Sequence, residues 1–186
     1  MYQTEAATAS AAICGLDNCR YNDSYRLRMG HLQREIKQDR PFANLEEEVF
    51  LNLQRTADLL MCDIEELLRP HQLSPTQYNV LRILRGSRDT GLACHEITER
   101  MVTHDPDMTR LLDRLEERGL LARSREKDDR RVIRVRIAAQ GLSLLRTLDE
   151  PVKTAHKKQL GHLGERRLRL LSGLLEAARN HNGQQN

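Results

Sequence analysis

The chain has 186 residues, of which 31% are charged and 39% hydrophobic, and its formal net charge is +3. Aromatic residues make up only 3% and Trp is absent, which argues against binding unpaired bases by stacking. No apolar run has membrane length and the four cysteines are irregularly spaced, so we expect a cytoplasmic protein with free thiols. A phosphate-cradling glycine loop, a nucleophile elbow and a paired metal motif are all missing from the sequence. We therefore expect neither an enzyme nor a cofactor-binding protein.

Residues 1–43 are predicted to form a mobile N-terminal tail, because they are rich in Ala, Ser, Asn and Gln and lack sustained periodicity. A short helical piece is expected near Tyr25 to Lys37, and Met29 is an alternative start of the protein. Cys14 and Cys19 could supply half of a zinc site, but no second pair completes it. We interpret these two cysteines as incidental.

Residues 44–72 are predicted to form a long helix that packs against other helices. Asn44 opens it, and glutamates follow in the first turn, where carboxylates suit the helix dipole. Apolar residues then recur three and four positions apart, at Phe50, Leu53, Ala57, Leu60, Ile64 and Leu67. Pro70 ends this pattern.

Two further helices are predicted before the centre of the chain. The first begins with Ser74 and Pro75 and closes at Gly86. The second runs from His95 to Val102, with Ile97 and Met101 facing inward, and Thr103 and His104 supply the turn that follows it.

The next helix has the features of a DNA-reading helix. Asp105 is predicted to cap it and Pro106 to be its first helical residue, while Gly119 ends it. Its buried face is predicted to comprise Met108, Leu111, Leu112 and Leu115, and Arg110, Arg114 and Arg118 form a separate stripe. Two short helices joined by a tight turn make a helix-turn-helix, whose second helix enters the major groove.

A charged β-hairpin is predicted after Gly119, where the apolar period changes to two. Leu120 to Ala122 starts one strand and Val132 to Ile137 returns. Ile133, Val135 and Ile137 are predicted to face the core, and Arg134 and Arg136 to face water or phosphate. The arginine-rich segment between the strands is typical of a wing, because a guanidinium fits a narrow minor groove.

Residues 139–180 are predicted to form the C-terminal helices, and residues 181–186 a frayed tail. A long helix from Gln140 to about Leu163 is expected to bend at Pro151, and a break at Gly161 to Gly164 precedes the last helix. Apolar seams on these helices and on residues 44–72 would be exposed in a single copy, so a homodimer is expected.

The chain resembles the MarR-type winged-helix transcription regulators from about Asn44 to Asn180. The matching stretches are LSPTQYNVLRIL (73–84), MTRLLDRLEERGLL (108–121) and DDRRVIRVRI (128–137). The resemblance implies a mainly α fold with a small β-hairpin wing. A winged helix-turn-helix at 73–138 would be flanked by N- and C-terminal dimerisation helices.

The resemblance also implies functional residues. In the family, an arginine at the wing tip enters the minor groove and an aspartate two residues earlier supports it, which matches Arg130 and Asp128. In the family, small aromatic or anionic effectors bind between the dimerisation helices and the winged module. The candidate effector-binding residues at this place are Arg69, His71 and Tyr78. The predicted DNA-contact residues are Thr103, Asp107, Thr109, Arg110, Arg114, Arg123, Arg125, Lys127, Asp128, Arg130 and Arg131.

Many members of the family carry small neutral residues where this chain has Asp105 and Asp107, so the start of the reading helix departs from the family, and Asp107 has two possible roles. Its carboxylate could accept a hydrogen bond from a cytosine amino group, or it could only cap the helix and hold Arg110. Cys62 is predicted to pack as a small apolar residue, and His156 and His162, six positions apart, are spaced too poorly for a metal site.

Together these features predict a sequence-specific transcription regulator that binds double-stranded DNA. We expect a ligand-responsive repressor that acts as a homodimer on a palindromic operator. The alternative is a winged-helix adaptor that contacts proteins and does not bind DNA.

Overall fold

The computed structural model describes residues 31–103, 105–125 and 133–183. The chain divides into two compact units, residues 1–53 and 54–186. Within the described ranges, every helix is too short or too polar to span a lipid bilayer.

The first unit contains helix α1 (His31–Glu35) and the beginning of helix α2 (Leu45–Leu68). Helix α1 lies within the stretch where a short helical piece was predicted, and its Leu32 is buried. The side chain of Asn44 accepts a hydrogen bond from the Glu47 amide at 2.8 Å, which satisfies one of the free N–H groups at the start of α2.

A short 3-10 turn (Arg69–His71) follows α2 and leads to helix α3 (Pro75–Gly86). Ser74 forms the predicted N-terminal cap, since the Gln77 amide donates to Ser74 Oγ (3.1 Å). Gln77 makes the cap reciprocal, because the Ser74 amide donates to Gln77 Oε1 (3.0 Å).

Helices α4 (Cys94–Glu99) and α5 (Met108–Glu117) form the helix-turn-helix, and both are shorter than predicted. Helix α4 ends at Glu99, so Val102 lies outside it and is 84% exposed. Helix α5 begins after Asp107, whereas Asp105 was predicted to cap it. Asp105 instead accepts a hydrogen bond from the Asp107 amide (2.9 Å), and the Asp107 carboxylate accepts from the Arg110 amide (3.2 Å).

Strands β1 (Leu121–Arg125) and β2 (Ile133–Ile137) pair in antiparallel register, with Leu121 opposite Ile137 and Arg125 opposite Ile133. Val135 and Ile137 are buried, as predicted. The prediction that Ile133 faces the core is wrong, because this residue pairs with Arg125 at the end of the strands opposite to the buried Leu121–Ile137 pair and is 48% exposed.

Helix α6 (Ala139–Leu160), a 3-10 turn (Gly161–Leu163) and helix α7 (Gly164–Gly183) complete the chain. The turn lies where the sequence predicted a break, and Pro151 is inside α6. Gly141 lets α6 approach the start of the hairpin, since a Cβ there would lie 2.2 Å from the Leu120 carbonyl oxygen.

The core of the second unit is centred on α3, whose Val80, Leu81 and Leu84 are fully buried. Residues of α5, the hairpin and α6 belong to the same cluster, among them Leu112, Leu115, Val135, Leu145 and Leu148. This shared core fixes α5 and the strands on one framework, so their outward side chains have defined positions.

Candidate nucleic-acid interface

Helix α5 is strongly two-sided. Its apolar residues Met108, Leu111, Leu112 and Leu115 are buried, as the sequence predicted. Thr109, Arg110 and Arg114 are exposed between them. The helix therefore has one side in the core and presents hydrogen-bond donors and positive charge on the other.

Asp107 forms the N-cap of α5, and its side chain is exposed. One carboxylate oxygen accepts the Arg110 amide, which satisfies a helix donor that has no partner within the helix. Capping was one of the two roles considered for this residue, and the other, a contact with a base, stays a prediction.

Arg118 does not continue the stripe of Arg110 and Arg114. It lies just past the end of α5 and is half-buried. Its guanidinium donates from Nη1 to the Gln72 carbonyl oxygen (2.6 Å) and from Nη2 to that of His71 (2.8 Å). Arg118 therefore joins the end of α5 to the turn between α2 and α3.

Arg123 on β1 is also held inside the molecule. Its Nη1 forms ion pairs with Asp113 and, at 3.3 Å, with Glu116, and its Nη2 donates to the Thr109 carbonyl oxygen at 3.2 Å. The side chain is 23% exposed. These contacts attach β1 to α5 and neutralise the charge that was predicted to face DNA.

The arginines of β2 have partners as well, which corrects the expectation that they face water or phosphate. Arg134 Nη1 donates to Glu96 of α4 at 2.7 Å. Arg136 donates to Ser124 Oγ (2.6 Å) and to the Thr90 carbonyl oxygen (3.1 Å). Both side chains are only half-buried, yet both connect the hairpin to its surroundings.

Comparisons with known proteins agree with this architecture. A family profile described as MarR family matches residues 73–133. The chain is 42% identical to a MarR transcription factor of known structure from Planctomyces limnophilus, covering 74% of this chain and 99% of that one with a TM-score of 0.57. The chain belongs to the MarR family.

Two other similar proteins are named as transcriptional repressors. The repressor CouR, in a structure bound to a 23-mer DNA duplex, is 30% identical over 76% of this chain and 99% of that one, with a TM-score of 0.64. The HTH-type transcriptional repressor MdtR of Bacillus subtilis is 31% identical over 52% of this chain and 61% of its own length.

Some of the predicted DNA contacts of this MarR-family chain lie at or beyond the limit of the described residues. Thr103 and Arg125 are exposed, the former between α4 and α5 in the sequence and the latter at the end of β1. Lys127, Asp128, Arg130 and Arg131 lie outside the described residues.

The three residues considered for effector binding have different environments. Arg69 is exposed and His71 half-buried in the 3-10 turn, whereas Tyr78 of α3 is 8% exposed. Burial raises the pKa of the Tyr78 hydroxyl, and the Arg82 guanidinium carbon lies 5.8 Å from the centre of its ring.

Cys62 and Cys94 are both exposed free thiols, so the prediction that Cys62 packs as a small apolar residue is wrong. Among the described residues, no cluster of His, Cys, Asp and Glu side chains could hold a metal ion.

Sequence reasoning missed Glu96, Asp113 and Glu116, the carboxylates that hold the hairpin arginines. A local signal existed for Glu96, which stands three residues after Ala93 and accepts its amide at 2.7 Å. The pairing of Glu96 with Arg134 spans 38 positions of the chain, and no local pattern shows it.

Proposed function

We propose that this chain is a repressor that binds a palindromic operator as a homodimer and releases it when a small effector binds. The observation that carries the proposal is the exposed side of α5, where Thr109, Arg110 and Arg114 stand opposite a fully buried apolar face. Such a helix fits the major groove, and its arginines can donate to guanine edges or to phosphates.

The proposed contact surface combines α5 with the hairpin tip. It comprises Thr103, Asp107, Thr109, Arg110, Arg114, Arg125, Lys127, Asp128, Arg130 and Arg131. Arg123 is left out of the surface, because two carboxylates and a backbone carbonyl already hold its guanidinium.

The exposed apolar side chains of α7 support a homodimer. Leu170, Leu171 and Leu174 are 50%, 38% and 60% exposed. A second copy of the chain would remove this surface from water, and a two-fold dimer would place two copies of α5 on successive turns of one duplex. The protein would then act in the cytoplasm.

An effector near Arg69, His71 and Tyr78 would lie next to a direct connection to the reading helix. The His71 and Gln72 carbonyl groups are the acceptors of Arg118, which follows the last residue of α5. A ligand that displaces this turn would shift α5 and weaken DNA binding, provided that it prefers the displaced state.

The test is to capture random genomic DNA fragments on the purified protein, sequence those retained, and titrate the most enriched duplex at increasing salt. We expect an inverted-repeat sequence and an affinity that falls steeply with salt, because phosphate contacts release counterions. A protein that retains no duplex even at low salt would contradict the proposal and favour the adaptor without DNA binding.

Arg110→Ala tests the assigned surface on the same duplex. Loss of one arginine contact to a base or phosphate should cost about 1–3 kcal/mol, or about 5- to 150-fold in affinity. The matched control is Arg146→Ala, since this exposed arginine of α6 donates only to Leu142 of its own helix among the described contacts. Equal affinities of the two variants would refute the role of Arg110.

A further inference from the structure

The hairpin depends on contacts with neighbouring elements, because a two-stranded ribbon is at best marginally stable by itself. Leu92 supplies a backbone anchor to β2: its amide donates to the Val135 carbonyl oxygen (3.0 Å), and the Val135 amide donates to that of Leu92 (2.8 Å). Among the described residues of β2, Val135 and Ile137 are buried, whereas Ile133 is exposed. Arg134, which lies between Ile133 and Val135, contacts α4 through Glu96.

The Arg134 contact has the geometry of a strong ion pair. Glu96 Oε2 lies 2.7 Å from Arg134 Nη1, and the two side chains are 30% and 27% exposed. The same oxygen accepts the Ala93 amide at 2.7 Å, so the carboxylate cannot rotate freely. One oxygen thus joins the start of α4 to β2.

The charge state of Glu96 suits this arrangement. The hydrogen bond from the Ala93 amide holds the pKa of the Glu96 carboxyl below its usual value, and the positive charge of Arg134 acts in the same direction. Glu96 is therefore ionised throughout the physiological pH range.

We propose that Glu96 and Arg134 form a latch that positions the hairpin for DNA binding, and that neither residue contacts DNA itself. This inference rests on the proposed function. Arg123 makes the corresponding connection on the other strand, through Asp113 and Glu116 of α5. The hairpin is held from both sides, by α4 on β2 and by α5 on β1.

The latch matters because α5 and the hairpin must engage two neighbouring grooves of one duplex at the same time. A hairpin that moves relative to α5 loses conformational freedom when DNA fixes it, and the entropy lost reduces the affinity. By restricting the hairpin in the DNA-free protein, Glu96 and Arg134 thus reduce the conformational entropy that is lost on binding.

Glu96→Gln separates this role from simple electrostatics. The amide oxygen of Gln can still accept the Ala93 amide, while the negative charge that holds Arg134 is lost. Removal of a carboxylate near DNA should strengthen binding if charge repulsion is all that matters. The latch predicts the opposite sign, a weakening of about tenfold, because a charge-assisted bond is lost.

The experiment measures the affinity of the parent and of Glu96→Gln for the most enriched genomic duplex, and amide hydrogen exchange of the hairpin in the DNA-free proteins. The matched control is Glu99→Gln, which removes an exposed carboxylate from the same helix. We expect weaker binding and faster exchange in strands β1 and β2 for Glu96→Gln, and neither effect for Glu99→Gln.

Arg134→Gln and the double variant Glu96→Gln/Arg134→Gln complete the test. If the two residues act as one latch, the double variant should bind no more weakly than the weaker single variant. If Arg134 instead contacts phosphate, Arg134→Gln should lower the salt dependence of binding by about one counterion, whereas the latch predicts an unchanged dependence.

Affinity of Glu96→Gln equal to or higher than that of the parent would overturn the latch, as would unchanged exchange of the hairpin. Failure of the proposed function is recognised separately, because it would appear as a parent protein that binds no duplex at all.

Discussion

Arg110, Arg114 and Arg118 are the same residue type at a spacing of four, yet they end in different surroundings. Arg110 and Arg114 are exposed on α5, whereas Arg118 is half-buried and donates to two backbone carbonyl groups. The spacing predicted the first two correctly as surface residues. It could not predict the third, because α5 stops at Glu117 and the partners of Arg118 lie 46 and 47 positions away.

Arg118→Ala should therefore lower the stability of the protein rather than remove a direct contact with DNA. Its two hydrogen bonds to carbonyl oxygens are partly open to solvent, so we expect the free energy of unfolding to fall by about 1–2 kcal/mol. Urea unfolding measures this loss. Arg114→Ala is the matched control, and a similar loss of stability in that variant would contradict the distinction drawn between the two arginines.

The ion pair of Glu96 predicts a specific pH dependence. The pKa of Glu96 is lowered in the folded protein, so its ionised form stabilises the fold above the ordinary value of 4.5, and this contribution disappears as the pH falls through the lower folded value. The stability difference between the parent and Glu96→Gln should be largest at neutral pH and should shrink below pH 4.5. Urea titrations of both proteins across this range test it, and a difference that grows on acidification would be incompatible with the lowered pKa.

At the scale of elements, periodicity and caps predicted the helices, while their limits depended on hydrogen bonds that the pattern does not show. Ser74 and Pro75 marked the start of α3 correctly, because a single capping residue stood there. Before α5, Asp105 and Asp107 were both good candidates, and the structure uses Asp107 as the cap. Alternation predicted that Ile133 is buried, but Ile133 pairs with Arg125 at the end of the two strands and is 48% exposed.

Gly141 was not singled out from the sequence. In the structure it lies where α6 closely approaches the start of the hairpin. A Cβ at this position would lie 2.2 Å from the Leu120 carbonyl oxygen and 2.9 Å from Ile137 Cγ1. The Leu120 oxygen cannot move freely, because it accepts the Ala138 amide at 3.0 Å.

Gly141→Ala should lower the free energy of unfolding by about 1–3 kcal/mol, although Ala is otherwise the better helix former. The control is Gly86→Ala at the end of α3, where a Cβ would meet nothing within 4 Å. Urea unfolding of both variants decides the matter: a Gly141→Ala protein as stable as the control would show that α6 can move away from the hairpin without cost.

At the scale of the whole molecule, the family resemblance predicted the winged module, because the matched stretches of sequence contribute residues to one hydrophobic core. Much of the apolar surface of that module is buried in one core, as Leu112, Leu115 and Val135 show. The last helix behaves differently, since it has leucines at regular spacing that remain exposed in a single copy. The sequence therefore predicted that α7 packs against another apolar surface, and the part of the chain that the structure describes leaves Leu170, Leu171 and Leu174 exposed.

Leu174→Glu tests whether a second copy supplies this cover. Leu174 is 60% exposed in the single chain, so a carboxylate at this position costs little in a monomer. Buried at a dimer interface without a partner, the same carboxylate would be strongly unfavourable. We expect Leu174→Glu to shift the protein from dimer to monomer in sedimentation experiments, with its helical content retained.

The same variant should lose most of its affinity for the operator, because two reading helices on one palindrome bind far more tightly than one. Ser172→Glu is the matched control, since it places the same carboxylate on an exposed residue two positions away, on another side of α7. A Leu174→Glu protein that sediments as the parent does would remove α7 from the interface. A monomeric variant that still binds the inverted repeat with parental affinity would instead show that one copy of α5 and the hairpin is sufficient.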